Sequence, residues 1–240
     1  MAELSQAEQK KLVGSYAVDR LVEEGLIFSG MKIGLGTGST AMPAVERLAH
    51  HLQEGKLKDI KAVSTSFQTS IACEGLGIPV YSMNAGVIGG QLDLAIDGAD
   101  EISPENHLIK GGGAALLLEK IVAYSARQFV VVADSSKDVA HLGTGFALPV
   151  EIIAEARCGL VRQLEALGAS CTLREGLRKA GPVVTDNGNL ILDLLWKAPV
   201  DAAAMEDKIK ALVGVVEVGF FTKNKPRCYI ARSDGSVMVR

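Results

Sequence analysis

The chain of 240 residues lacks the features that mark several large classes of protein. It contains no run of lysine and arginine. Its 25 basic residues stand against 28 acidic ones, a formal net charge of −3 at pH 7, so the footprint of a nucleic-acid binder is missing. No apolar run approaches the roughly 18 residues of a membrane span, and the opening MAELSQAEQKK is too polar for a signal peptide. These absences predict a cytoplasmic protein whose partners are small molecules or protein, with no nucleic acid and no membrane. The four cysteines, Cys73, Cys158, Cys171 and Cys228, are far apart and form no CxxC pair, which predicts buried thiols in a reducing compartment. Of the four histidines, only His50 and His51 are close. Adjacent helical residues point about 100° apart and cannot share an ion as an i, i+4 pair does, so no metal site is predicted.

What is present is a chain with 48% hydrophobic and 22% charged residues, enough for a full core in one α/β domain with or without a smaller companion. Apolar spacing predicts a helix over 5–24 with Ser5 as N-cap and Gly25 as its stop, then a strand over 31–35. A glycine-rich turn and a helix with Pro43 in its first turn follow. Strands are predicted over 59–63, 78–83, 92–96, 107–110 and 128–133, and helices over 67–76 and 114–126. Such alternation implies a mostly parallel sheet with helices on both faces. From about residue 148 the order becomes strand 149–153, helix 155–167, strands 169–174, 183–185 and 190–194, helix 201–212 and strand 215–218. That order is of the β-α-β-β-α-β ferredoxin-like kind with one added short strand, and Asn187-Gly188 marks a tight hairpin. A last hairpin, 227–232 with 236–239, is expected to return to the first domain. The prediction is therefore a Rossmann-like domain of residues 1–147 and 221–240, with a smaller α+β domain of residues 148–220.

The chemistry concentrates between residues 92 and 119. The strand over 92–96 runs into Asp97, Gly98, Ala99, Asp100 and Glu101, which puts three carboxylates at a strand's carboxyl end, the edge where open α/β sheets bind ligands. Lys110, Gly111, Gly112 and Gly113 then open the apolar helix that contains Glu119. Its neighbours at helical spacing are Ala115, Leu116, Val122 and Ala123, with no basic residue at i+3 or i+4. Desolvation of such a carboxyl favours its neutral form and suits a general base at neutral pH. A solvated glutamate on an exposed helix edge is the alternative. In the first glycine-rich turn, Gly36, Thr37, Gly38, Ser39 and Thr40 offer backbone N–H groups and three hydroxyls to an anion at a helix N-terminus. The G-x-G-x-G spacing from Gly34 is not a dinucleotide fingerprint and no G-K-S/T follows, which disfavours a dinucleotide or ATP. A plain glycine turn is the alternative here. Lys137 stands at the end of a further predicted strand.

Taken together, GTGST at 36–40, DGADE at 97–101, KGGGAALLLEK at 110–120, ADSSK at 133–137, TDNGN at 185–189 and GVVEVGFF at 214–221 resemble the type A ribose-5-phosphate isomerase family. The resemblance covers essentially the whole chain in the right order. It implies interconversion of D-ribose 5-phosphate and D-ribulose 5-phosphate in the non-oxidative pentose phosphate pathway, without metal or organic cofactor, in a homodimer or homotetramer. By position, Glu119 matches the catalytic base, and Asp97, Asp100 and Lys110 match groups at the reacting end of the sugar. Thr37, Gly38, Ser39 and Thr40 match the phosphate-side loop, Gly98 and Ala99 lie within the substrate-lining DGAD turn, Gly111, Gly112 and Gly113 match the substrate loop, and Lys137 matches a substrate-binding lysine. Leu118 departs from the arginine usual before the catalytic glutamate.

Two rivals share related architecture. A non-enzymatic sugar-phosphate sensor normally carries a DNA-binding module, and only one helix is predicted before the first strand. An amino-sugar phosphate deaminase needs a catalytic histidine that this pattern does not supply.

Overall fold

A computed structural model of the chain describes residues 3–240. It divides into two units, Met1–Gly98 with Leu118–Lys137 and Pro226–Arg240, and Ala99–Leu117 with Asp138–Lys225.

In the first unit a six-stranded sheet runs in the order β2 (Lys61–Ser64), β1 (Lys32–Leu35), β3 (Leu92–Asp97), β6 (Ala126–Asp134), β12 (Arg227–Ala231) and β13 (Val237–Val239). Every neighbouring pair is parallel except β12 and β13, so the C-terminal hairpin does return to this sheet. The last six residues of β6 are all buried, the pattern of a strand covered on both faces. Ile33, Leu35, Leu94, Ile96, Val130 and Val132 face a core shared with α1 (Gln6–Glu23), α2 (Ala41–Gln53) and α3 (Phe67–Leu76). Side chains alternate across a strand, so Gly34 faces the other way, where α4 (Leu116–Tyr124) lies. A Cβ on Gly34 would overlap the Val122 side chain of that helix, which lets α4 sit directly on the sheet. Local chemistry sets the helix ends. Ser5 and Glu8 form a capping box on α1, and the Ser66 hydroxyl accepts from the Thr69 N–H at the start of α3.

The second unit contains β7 (Leu148–Ile152), α5 (Arg157–Glu165), β8 (Ala169–Leu173), β9 (Leu190–Trp196), α6 (Ala202–Lys210) and β10 (Val215–Val218). Its sheet is antiparallel in the order β10-β7-β9-β8, the ferredoxin-like arrangement. A small second sheet joins β4 (Glu101–Ile102), β5 (Leu108–Ile109) and β11 (Phe220–Phe221). Ile109 and Phe220 enter the same core as Leu148, Val150 and Trp196. Residues 99–117, 138–147 and 221–225 therefore fall in this unit, whereas the sequence division at 148–220 left them in the first.

Three expected elements differ. Residues 78–83 form no strand beyond a single bridge, Ala62 with Val80, because Pro79 has no N–H to donate and only Ile78 of its flank is buried. Residues 183–185 likewise reduce to one bridge, Val184 with Leu190. There the Thr185 hydroxyl is drawn away to the buried Glu151 carboxylate at 2.9 Å, which also accepts from the Asn189 amide at 2.8 Å. The helix expected from 114 starts at Leu116, since Ala114 sits at φ 59° and a left-handed residue cannot belong to a right-handed helix. Of the thiols, Cys73 and Cys228 are buried, Cys171 is half-buried, and Cys158 on α5 is exposed, against the expectation that all four are buried.

Candidate active site

The parallel sheet reverses its strand order between β1 and β3, since the chain goes from β1 to β2 on one side and returns as β3 on the other. This is the position where open α/β sheets form a ligand crevice at the carboxyl ends of the strands. The first glycine-rich turn leaves β1 here and Asp97 ends β3 here. The Gly36 N–H donates to the Ile96 carbonyl at 2.9 Å. The Asp97 carboxylate, 3% exposed, accepts from the Thr37 N–H at 3.2 Å and the Gly98 N–H at 2.7 Å through one oxygen. A Cβ on Gly36 would lie inside that carboxylate, so only glycine lets the two meet.

The hydroxyls of this turn are not equivalent. Thr37 Oγ1 lies 2.7 Å from Thr65 Oγ1, 2.7 Å from Ser66 Oγ and 3.0 Å from Thr69 Oγ1. The Thr69 hydroxyl donates in turn to the Gly36 carbonyl at 2.8 Å. Thr37 thus ties the turn to the hydroxyl-rich turn after β2, and its N–H and hydroxyl are both engaged within the protein. Gly38 takes φ 94°, exposed Ser39 lies beside it, and Thr40 precedes α2 without capping it through its side chain.

Sequence reading missed Lys10. Its ammonium donates to Ser39 Oγ at 3.1 Å and adds a cation to the turn. No local signal marks it, because the contact arises from the crossing of α1 and α2, where Gly14 allows Pro43 and Ala44 to approach within 2.8 Å of a would-be Cβ. Lys137 ends the short 3-10 turn Ser135–Lys137 after β6, the strand next to β3 on the same edge. That turn is fastened to α1 through Gln9, whose side-chain oxygen accepts from the Ser135 N–H at 3.2 Å and hydroxyl at 3.0 Å.

Glu119 belongs to the same unit. The Leu92 N–H at the start of β3 donates to the Ser125 carbonyl just past the end of α4, at 2.9 Å. The last turn of α4 is therefore at the amino edge of the sheet, and its first turn, which contains Glu119, points to the carboxyl edge. Glu119 is 5% exposed. It lies in the first turn rather than mid-helix, so the positive end of the helix favours its charge while burial works against it.

Asp100, Lys110 and the Lys-Gly-Gly-Gly loop lie in the second unit. Lys110 is 2% exposed, with its ammonium 5.7 Å from the centre of the Phe221 ring. The GVVEVGFF segment seats it, for the Lys110 N–H donates to the Gly219 carbonyl at 2.9 Å and Gly219 leaves no room for a Cβ beside the Lys110 carbonyl. The Asp100 carboxylate accepts from the Gly112 N–H at 2.7 Å. Glu101, the third carboxylate of the motif, is structural. It is 3% exposed and accepts from the N–H groups of Gly143 at 2.8 Å and Phe146 at 2.7 Å, shaping the loop before β7. Among the described residues no three His, Cys, Asp or Glu side chains are grouped to hold a metal ion.

A Rossmann-like parallel sheet with hydroxyls, lysines and buried carboxylates along its carboxyl edge, in a chain that also carries a ferredoxin-like unit, defines an α/β protein built to handle a small anionic substrate. The pattern of ribose 5-phosphate isomerase A (phosphoriboisomerase A) matches residues 61–235. The chain is 60% identical over 233 residues to ribose-5-phosphate isomerase A of Treponema denticola, covering 96% of this chain and 98% of that one. Ribose 5-phosphate isomerase A of Methanocaldococcus jannaschii has a similar structure, with a TM-score of 0.89 at 38% identity over 98% of this chain and 99% of the other. A D-ribose-5-phosphate isomerase in complex with phospho-erythronic acid gives a TM-score of 0.91 at 35% identity, covering 99% of this chain and 100% of that one. The chain belongs to the ribose 5-phosphate isomerase A family.

Proposed function

We propose that this protein interconverts D-ribose 5-phosphate and D-ribulose 5-phosphate, with Glu119 as the base that moves a proton between carbons 2 and 1. The observation that carries this reading is the burial of Glu119, 5% exposed, in the first turn of α4 at the carboxyl edge of the sheet. Isomerisation removes a proton from carbon 2 of the open-chain aldose, forms a cis-enediolate, and returns a proton to carbon 1. One carboxylate on one face can perform both transfers. Negative charge develops on the two oxygens meanwhile, and the buried Lys110 ammonium is the fixed cation to stabilise it. Asp97 is assigned the acid–base work of opening the sugar ring, with Asp100 as the second carboxylate beside it in sequence. The turn of Thr37, Gly38, Ser39 and Thr40 takes the phosphate, with Lys10 and Lys137 as its counter-charges, and this remote binding orients the reacting carbons. Every step moves protons only, so no metal or cofactor is assigned, and activity is expected to survive treatment with EDTA. We place the protein in the cytoplasm, in the non-oxidative pentose phosphate pathway, as a homodimer or homotetramer. Among the described residues no helix is long and apolar enough to cross a membrane.

Glu119→Gln keeps size and polarity but cannot accept a proton. It is expected to lower kcat by roughly 10²–10⁴ while substrate binding stays near wild type. Incubation with ribose 5-phosphate in D₂O, followed by NMR, reads the step directly. Wild-type protein should place deuterium in the product, and the variant should bind sugar without exchange. Exchange by the variant at the wild-type rate rules out Glu119, and absence of both exchange and product in the wild type returns the sensor reading.

A further inference from the structure

We infer that Arg174, held by Asp193, is a positioning residue for the isomerisation, setting the backbone of the Lys-Gly-Gly-Gly loop from a strand of the ferredoxin-like sheet. The inference rests on the isomerase reading above and adds a residue outside the motifs that carry that reading. Arg174 directly follows β8, and Asp193 lies on the adjacent β9. The guanidinium forms a two-pronged pair with the Asp193 carboxylate, Nε donating to Oδ2 at 2.8 Å and Nη2 donating to Oδ1. Its remaining nitrogen, Nη1, donates to two consecutive backbone carbonyls of the loop, Gly111 at 2.9 Å and Gly112 at 3.1 Å.

Peptide geometry turns these contacts into control of the loop. In a planar trans peptide the carbonyl of one residue and the N–H of the next point in opposite directions. Fixing the Gly111 carbonyl on Arg174 therefore fixes the Gly112 N–H on the opposite side, where it meets Asp100 at 2.7 Å. That one peptide is held at both ends, by a cation on its oxygen and by a carboxylate on its N–H. Fixing the Gly112 carbonyl in the same way turns the Gly113 N–H away from the guanidinium. A Cβ on Gly113 would meet nothing within 4 Å, so the backbone there borders open space. Glycine has the widest choice of backbone conformations, and three in succession hold one shape only when something outside them imposes it. Gly111 takes φ 103° and Ala114 φ 59°, both in the left-handed region. The Ala114 N–H closes the turn on the Gly111 carbonyl at 2.9 Å, and Arg174 and Asp100 are the polar side chains that add their restraint to it. The planar fork of arginine suits this task, since it can serve a carboxylate and two carbonyls together where the point charge of a lysine cannot.

The test compares wild type, Arg174→Ala, Arg174→Lys and Asp193→Asn with ribose 5-phosphate, with circular dichroism and thermal unfolding as checks on folding. Arg174→Ala is expected to lose about 30- to 100-fold in kcat, the scale of a misplacement of about 1 Å. Its KM should stay within about threefold, because the phosphate turn belongs to the other unit. Arg174→Lys should recover little, Asp193→Asn should fall between, and millimolar guanidinium, but not ammonium, should restore part of the activity of Arg174→Ala. Amide exchange at residues 111–114 should accelerate in Arg174→Ala while the rest of β8 and β9 stays protected. Wild-type kcat in a folded Arg174→Ala protein overturns the inference, as does a loss that tracks the folded fraction and resists guanidinium. An inactive wild-type protein overturns the isomerase reading itself, whereas an active wild type with an equally active Arg174→Ala variant overturns only the role of Arg174.

Discussion

Two glycine-rich turns in this molecule look alike in composition and are built in different ways. In the first, surrounding atoms dictate two of the glycines, since Gly34 lies under Val122 of α4 and Gly36 lies against the Asp97 carboxylate, while Gly38 has open space around it and takes φ 94°. In the second, before α4, Gly111 is packed against Leu116, whereas Gly112 has Asp100 Oδ1 2.5 Å from its would-be Cβ and Gly113 has open space. Both turns close on an aspartate of the same DGAD segment, Asp97 for the first and Asp100 for the second. The first is fixed by exclusion at Gly34 and Gly36, where there is no volume for a side chain. The second is exposed at Gly112 and Gly113, and there it is held by the hydrogen bond that Gly112 N–H donates to Asp100 and by those that Arg174 donates to the Gly111 and Gly112 carbonyls. A turn resists change where packing holds it, and where a few polar contacts hold it, it can be loosened by removing any of them.

That contrast orders the expected effects. The largest should follow Gly36→Ala, where the methyl must displace the Asp97 carboxylate or break the β1–β3 pairing. A loss of about 3 kcal/mol in urea unfolding, with activity abolished, is expected from overpacking of a closed core site. Wild-type stability in that variant would mean the turn is not packed against Asp97. Gly34→Ala should come next, at about 1–3 kcal/mol. Its methyl pushes on Val122, three residues along α4 from Glu119, so kcat should fall further than KM rises. In the second turn, Gly112→Ala should cost only about 1 kcal/mol, the value of one strained hydrogen bond to Asp100. Its effect on kcat should nonetheless reach about tenfold or more, because the loop borders the reacting carbons in the proposed mechanism. Gly113→Ala should leave stability within about 0.5 kcal/mol, and any change should appear in KM alone.

The smallest effect uses two thiols as reporters. Burial pushes the Cys73 thiol up to about 11. Burial, then the charges of Glu165 and Asp193, push Cys171 up to about 11. At pH 8 both are protonated and slow to react, while exposed Cys158 labels first. Gly36→Ala should speed labelling of Cys73, which sits in the first core, and leave Cys171 nearly unchanged. Equal acceleration of both thiols would show that the two turns fail together, and the distinction between them would not hold.

Much of this architecture was legible from local pattern. The N-cap at Ser5 and the buried run of β6 are short-range signals, and each produced its element within a few residues of the expected bounds. The ferredoxin-like order and the return of the C-terminal hairpin were legible for the same reason, since strand and helix periods differ. The strand expected at 78–83 failed because pairing is a property of two strands. The segment carries the right residues, but Pro79 and an exposed flank leave it one bridge.

The sequence by itself determined which residue types stand at the strand ends: the Asp97 and Asp100 carboxylates, the Lys-Gly-Gly-Gly loop, and Glu119 in an apolar helix. A run of residues carries its composition and periodicity with it, and those decide local conformation and the face that is buried. Only the tertiary structure decided what each group faces. It turned the Thr37 hydroxyl inward to Thr65, Ser66 and Thr69, and gave Glu101 to the N–H groups of Gly143 and Phe146. It also moved Glu119 to a helix N-terminus by placing Ala114 at φ 59°. Lys10 came to Ser39 across 29 positions of sequence, and Arg174 to Gly111 across 63. Contacts of that range depend on helix crossings and strand register, which belong to the packed chain as a whole and leave no mark on the residues nearby.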